Sequence, residues 1–168
     1  MNEARNRAAC VLYDGKILVT GGGVNPGYNA THTAEIYDSA ADTWSHFPGM
    51  MEQRAGHGSV VSGRKVFVIG AHTRGYFWQH RPGIFREVEY YDPDYQQFVA
   101  LTLPPKCYQY RLFWIMPMQT VYIGGKIYIF QENDKEILTY DVERNEWSSI
   151  SQIPRNYVAF ACVKAPQF

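Results

Sequence analysis

The side chains in this chain best suited to holding another molecule lie between His72 and Arg86, where Arg74, Arg81 and Arg86 are interleaved with Tyr76, Phe77, Trp78 and Phe85. Aromatic residues and arginine dominate protein-binding hot spots, and the stretch is too aromatic to read as disordered. Connections longer than about 12 residues in a compact domain are commonly functional. The stretch therefore either recognises a partner or folds Phe77 and Trp78 back over the domain that carries it. Other chemistry is harder to find. Gly21-Gly22-Gly23 follows a strand, but the loop Val24 to Asn29 comes next where a phosphate cradle needs a helix, so these glycines read as sites of close backbone approach. His57, between Gly56 and Gly58, has no second ligand spaced for a metal and reads as structural. Cys10, Cys107 and Cys162 are odd in number and far apart, neither a disulfide framework nor a zinc set. Cys10 and Cys162 are expected as buried thiols in apolar strands, and Cys107 as exposed. No nucleophile elbow, His-Glu-x-x-His or paired carboxylates occur, so the chain is expected to be no enzyme and to need no cofactor or metal.

The elements that must position these residues are written three times. Each copy has an apolar strand, a turn, a second apolar strand, glycines or their remnant, then Tyr-Asp and an aromatic six positions past the aspartate: Tyr37-Asp38 with Trp44, Tyr91-Asp92 with Phe98, Tyr140-Asp141 with Trp147. The period, near ~50 residues, marks a repeat architecture. Asp14-Gly15 is hairpin-turn chemistry. The second strands, Ile17 to Val19, Val66 to Ile69 and Ile127 to Phe130, are apolar on consecutive residues and so call for cover on both faces. Sheets stacked face to face would supply it. Burying one tryptophan removes about 200 Å² from water, roughly 5 kcal/mol gross, so Trp44 and Trp147 are expected between sheets, with Tyr37, Tyr91 and Tyr140 in the same layer. Met51 to Arg54 echoes Asn2 to Arg5 ahead of an equivalent strand. The third copy is degenerate: its lead-in, Leu103 to Arg111, lacks the matching arginine, and Gln131-Glu132 replace the glycines.

Composition agrees with a soluble domain. Of 168 residues, 46% are apolar, enough to bury a core, and 16 basic side chains balance 16 acidic ones. No net field favours nucleic acid or an anionic membrane surface. No apolar run reaches the ~20 residues of a membrane span, and the amino terminus carries no secretory pattern. The chain reads as cytoplasmic.

The glycine doublet, the Tyr-Asp pair and the fourth-strand tryptophan together resemble the kelch repeat. That resemblance implies an all-β, kelch-type β-propeller of about three four-stranded antiparallel blades (approximately 8–49, 54–104 and 110–152 within 1–168) plus one closing strand, 155–163. Propellers typically have at least ~4 blades, so this is a partial ring, most like the carboxy-terminal half of a BTB-kelch protein, or one that two copies complete. The resemblance further implies a protein-recognition module, like the substrate-binding domain of a cullin-RING ubiquitin ligase adaptor. Cullin itself would be reached only through BTB and BACK domains outside this chain. In that family arginines ahead of each blade often line the recognition face, which by motif match selects Arg5, Arg7 and Arg54, with Arg155 weaker. Joined to Arg74, Tyr76, Phe77, Trp78, Arg81 and Arg86, they would suit an acidic and apolar peptide segment. The alternatives within the resemblance are an actin-binding scaffold and, less favoured, a kelch-type oxidase fragment.

Overall fold

The computed structural model describes residues 1–23, 30–70, 88–101, 118–130 and 136–152. Their regular structure is entirely β. The first sheet is β1 (Ala9–Tyr13), β2 (Lys16–Thr20), β3 (Ala34–Asp38) and β4 (Thr43–Phe47). The second is β5 (Gly58–Ser62), β6 (Lys65–Ile69), β7 (Val88–Asp92) and β8 (Gln97–Ala100). The third is β9 (Gln119–Ile123), β10 (Lys126–Phe130), β11 (Glu136–Asp141) and β12 (Glu146–Gln152). Each is a separate four-stranded meander with neighbours paired in chain order, antiparallel throughout.

Local chemistry sets the turns. Asp14 and Gly15 both take positive φ, 50° and 72°, the paired left-handed geometry of the hairpin turn that matches strand twist. The β3–β4, β7–β8 and β11–β12 turns each place one non-glycine residue, Asp42, Gln96 and Asn145, at φ 51–54°. Three turns built alike are the backbone counterpart of the sequence repeat.

Register explains how the sheets stack. Alternate residues of a strand face opposite ways, so each sheet has two rows running across its four strands. One row is Leu12, Ile17, Tyr37 and Trp44; its equivalents are Val61, Val66, Tyr91 and Phe98, then Tyr122, Ile127, Tyr140 and Trp147. The opposite row is Val11, Leu18, Ile36 and Ser45; its equivalents are Val60, Phe67, Tyr90 and Val99, then Val121, Tyr128, Thr139 and Ser148. Val66, Tyr91 and Phe98 pack against Val11, Leu18 and Ile36 of the preceding sheet in one core. Ile127, Tyr140 and Trp147 pack against Val60, Phe67 and Tyr90 in the other. Every sheet thus offers a leading face to the one before it and a trailing face to the one after.

This arrangement corrects three expectations from the sequence. Trp44 and Trp147 are each only half-buried, Ile17 is 43% exposed where Val66 and Ile127 are 0%, and Cys10, expected as a buried thiol, is exposed. The isoleucine stands on the leading face of the first sheet, against which no described residue packs; each tryptophan stands on the fourth strand, at the edge of its sheet. Trp44 still stacks on Tyr37 at 5.0 Å between centroids, as Trp147 does on Tyr140 at 4.9 Å.

Candidate functional site

The arginines ahead of the first two sheets are held in two nearly identical cages. Arg54 donates from Nε and Nη2 to Glu89 Oε1 at 3.1 and 2.6 Å, and from Nη1 to the Gly70 carbonyl at 2.7 Å. The same carboxylate accepts the backbone N–H groups of Met51 (2.6 Å, Oε2) and Glu52 (3.2 Å, Oε1). In the first sheet Arg5 donates from Nε and Nη2 to Glu35 Oε1 at 3.2 and 3.1 Å, and from Nη1 to the Gly21 carbonyl at 2.9 Å. Glu35 in turn accepts from Asn2 N (2.6 Å) and Glu3 N (3.2 Å). The echo between Asn2 to Arg5 and Met51 to Arg54 is thus two peptide N–H groups and a guanidinium converging on a glutamate two residues before the repeat tyrosine.

The arginine and glutamate side chains of both pairs are at most 1% exposed. A buried charge is tolerable only when paired and hydrogen-bonded, and here both conditions hold. Burial alone would raise the Glu35 carboxyl, but hydrogen bonds from Asn2 N–H, Arg5 and Glu3 N–H outweigh it and hold the group below the usual carboxylate range. His57 lies beside the second cage. Its Nε2 is 2.9 Å from Thr20 Oγ1, and burial, then the Arg54 charge, push it down to about 3. It stays neutral at physiological pH.

The cages correct the sequence reading of Arg5 and Arg54 as partner-facing groups. Their forks are occupied within the fold, so neither presents a free fork to a partner. Arg7 is exposed. Arg74, Tyr76, Phe77, Trp78, Arg81 and Arg86 lie outside the described residues, as do Arg155, Cys107 and Cys162. What the sequence reading missed is Glu35 and Glu89. A signal for them exists: glutamate stands two residues before the tyrosine in the first two repeats, and Leu138 stands there in the third, the repeat whose lead-in lacks the arginine.

The cages also fix where loops begin. Arg5 grips the carbonyl of Gly21 and Arg54 that of Gly70, the residues closing β2 and β6, from which the β2–β3 and β6–β7 connections leave. Around them the backbones meet closely. Gly22 N donates to Arg54 O at 2.7 Å, and Gly56 N to Arg7 O at 2.8 Å. A Cβ on Gly21, which sits at φ +58°, would lie 2.5 Å from Arg54 O. The glycine doublet exists for that approach. Among the described residues no three of His, Cys, Asp and Glu gather as metal ligands, and no helix is long and apolar enough to cross a membrane. The arrangement holds the residues from which the β2–β3 and β6–β7 connections leave.

Comparison with known proteins agrees with this geometry. The family profile described as Kelch motif matches residues 4–51, which hold the first lead-in and the first sheet. The chain is 28% identical to human Kelch-like protein 23 over 82% of its length, and 28% identical to rat Kelch-like protein 7 over 78%. It is 26% identical to Kelch-like protein 25 of Xenopus tropicalis over 91%. It spans about a quarter of the length of these relatives, 24%, 21% and 26% respectively. A solved structure, "Structure of YjhT", superposes with a TM-score of 0.70 at 17% identity, over 90% of this chain and 53% of that one. With its period, its stacked meanders and these likenesses, the chain folds as blades of a β-propeller, its first repeat matches the Kelch motif, and most of its length is similar to kelch-like proteins.

Proposed function

We propose that this chain is a protein-recognition module whose contact surface is built by the connections between second and third strands, chiefly residues 71–87. The observation that carries the reading is the caging of Arg54 on Gly70, which gives the aromatic and arginine-rich connection a rigid root. A site gains from being held by side chains that are themselves locked. On this reading Arg54 and Arg5 are positioning residues. Arg74, Tyr76, Phe77, Trp78, Arg81 and Arg86 make contact, together with exposed Arg7. The partner is an acidic and apolar peptide segment: arginine forks take carboxylates two hydrogen bonds at a time, and the aromatics take the apolar side chains. Similarity to kelch-like proteins supports extending the proposal to substrate capture for a cullin-RING ubiquitin ligase in the cytoplasm, with the ligase reached through other domains. The role is binding and not catalysis.

Titration against a panel of peptides that vary carboxylate and apolar content tests this. The wild-type chain is expected to prefer peptides carrying both, and the triple variant R74A/W78A/R81A to lose more than about tenfold in affinity, since each hot-spot truncation costs about 1–2 kcal/mol or more. Equal binding by both proteins would refute it. Cosedimentation with actin filaments that is insensitive to salt and to the triple substitution would favour a cytoskeletal scaffold instead.

A further inference from the structure

We infer that Arg54 joins the roots of two neighbouring connections, β2–β3 in the first blade and β6–β7 in the second, into one coupled unit, so that whatever loosens one root loosens the other. The residue works with both of its halves. Its guanidinium holds the second root, donating to the Gly70 carbonyl at 2.7 Å while Glu89 takes its other donors. Its peptide groups hold the first root. Gly22 N donates to the Arg54 carbonyl at 2.7 Å, Arg54 N to the Thr31 carbonyl at 3.1 Å, and Thr31 N back to the Gly22 carbonyl at 2.8 Å. The chain leaving β2 and the chain returning towards β3 are thus tied to one another, and both are tied to the lead-in of the next blade. Met50 N, donating to His32 O at 2.8 Å, adds a further tie on the same side.

Little between the two halves can absorb a displacement. The Arg54 side chain is 1% exposed and that of Glu89 0%, so neither can move apart without leaving a buried charge unpaired. Contact with the first blade is as tight. A Cβ on Gly21 would lie 2.5 Å from Arg54 O and 2.7 Å from His57 Cε1, so the backbones meet with no room for a methyl group. A shift of the Arg54 main chain therefore lengthens or bends the hydrogen bonds that close the first root, and these weaken steeply off their preferred geometry. A shift of the first root pushes on the second cage in turn, because a coupling free energy acts equally in both directions. For a molecule touching both connections, ordering one root lowers the cost of ordering the other. The inference stands on the two roots alone and holds whichever molecule the connections take.

Amide hydrogen exchange read residue by residue tests this from both ends, with the amides of β10 and β11 in the third blade reporting opening of the whole fold. Glu89→Gln alters only the second blade's cage. It is expected to speed exchange at Gly22 and Thr31, in the first blade, by about tenfold more than at β10 and β11. Gly21→Ala alters only the first root. It is expected to speed exchange at Met51 and Glu52, whose amides Glu89 accepts, by a similar factor over β10 and β11. Where Glu89→Gln fails to fold, Glu89→Asp, which keeps the charge but shortens its reach, replaces it with the same expectation. Where Gly21→Ala fails to fold, the glutamate variant decides alone. Wild-type rates at Gly22 and Thr31 in the glutamate variant, a rise there no greater than at β10 and β11, or unchanged Met51 and Glu52 in folded Gly21→Ala protein would each overturn the inference.

Discussion

The first two blades and the third solve one problem in different ways. In the first two, a lead-in segment is tied to the third strand of its blade by a buried arginine and glutamate, with the glutamate also taking two peptide N–H groups. In the third, Leu138 occupies the glutamate's register and packs on the core around Phe67 and Ile127. Arginine and glutamate are absent together. A lone buried charge is far more costly than either the pair or an apolar replacement, so the two residues can only be gained or lost as a unit. The comparison teaches that the cage is a device for holding a lead-in and a loop root, and that a blade can be built without it.

The largest expected effect comes from breaking one cage from one side. Arg54→Ala leaves Glu89 buried without its cation and should cost about 3–5 kcal/mol in denaturant unfolding. The converse substitution puts a cage residue where no arginine exists. Leu138→Glu should cost about 2–4 kcal/mol at neutral pH, less at acid pH where the carboxyl can protonate.

Next in size is the acid response of the caged blades. His57 has its ordinary value of 6.5 in the unfolded chain and about 3 when folded. Between these, the unfolded state binds the additional proton, so stability is fully present above 6.5 and falls as pH falls. Glu35, held below its unfolded value, adds stability that is lost at still lower pH as that carboxylate protonates. From pH 6.5 to pH 4 the histidine should cost about 2–3 kcal/mol, and His57→Gln should flatten the profile over that range without removing the steeper fall below it. The smallest effect separates a buried tyrosine from a half-buried one. Tyr140 donates to Asn145 Oδ1 at 2.8 Å on a buried ring, and Tyr37 to Asp42 Oδ1 at 2.7 Å on a half-buried one. Tyr140→Phe should cost about 1 kcal/mol, and Tyr37→Phe less than about 0.5 kcal/mol.

The blades themselves were legible because each depends on residues close in sequence. Asp14-Gly15 dictates its own turn, apolar runs dictate strands, and the Tyr-Asp-to-tryptophan spacing repeats visibly. The cages were not, because Arg5 and Glu35 are 30 residues apart, Arg54 and Glu89 35. An arginine ahead of a strand looks like a surface group until its partner is found. The covariation of glutamate or leucine two residues before each tyrosine was present in the text of the sequence. It acquired meaning only when register put Glu35 and Glu89 beside a guanidinium. Ile17 failed for another reason: burial of a blade face belongs to the blade against it, which no local pattern encodes.

The central claim, that these arginines serve the fold as half of an inseparable pair, is tested most directly by a double-mutant cycle at the second cage. Arg54→Met and Glu89→Leu should each destabilise by several kcal/mol, while the double variant, which imitates the third blade, should recover most of that loss, a coupling of about 3 kcal/mol or more. Additive losses in the double variant, or an Arg54→Met protein as stable as wild type that has lost only partner binding, would contradict it.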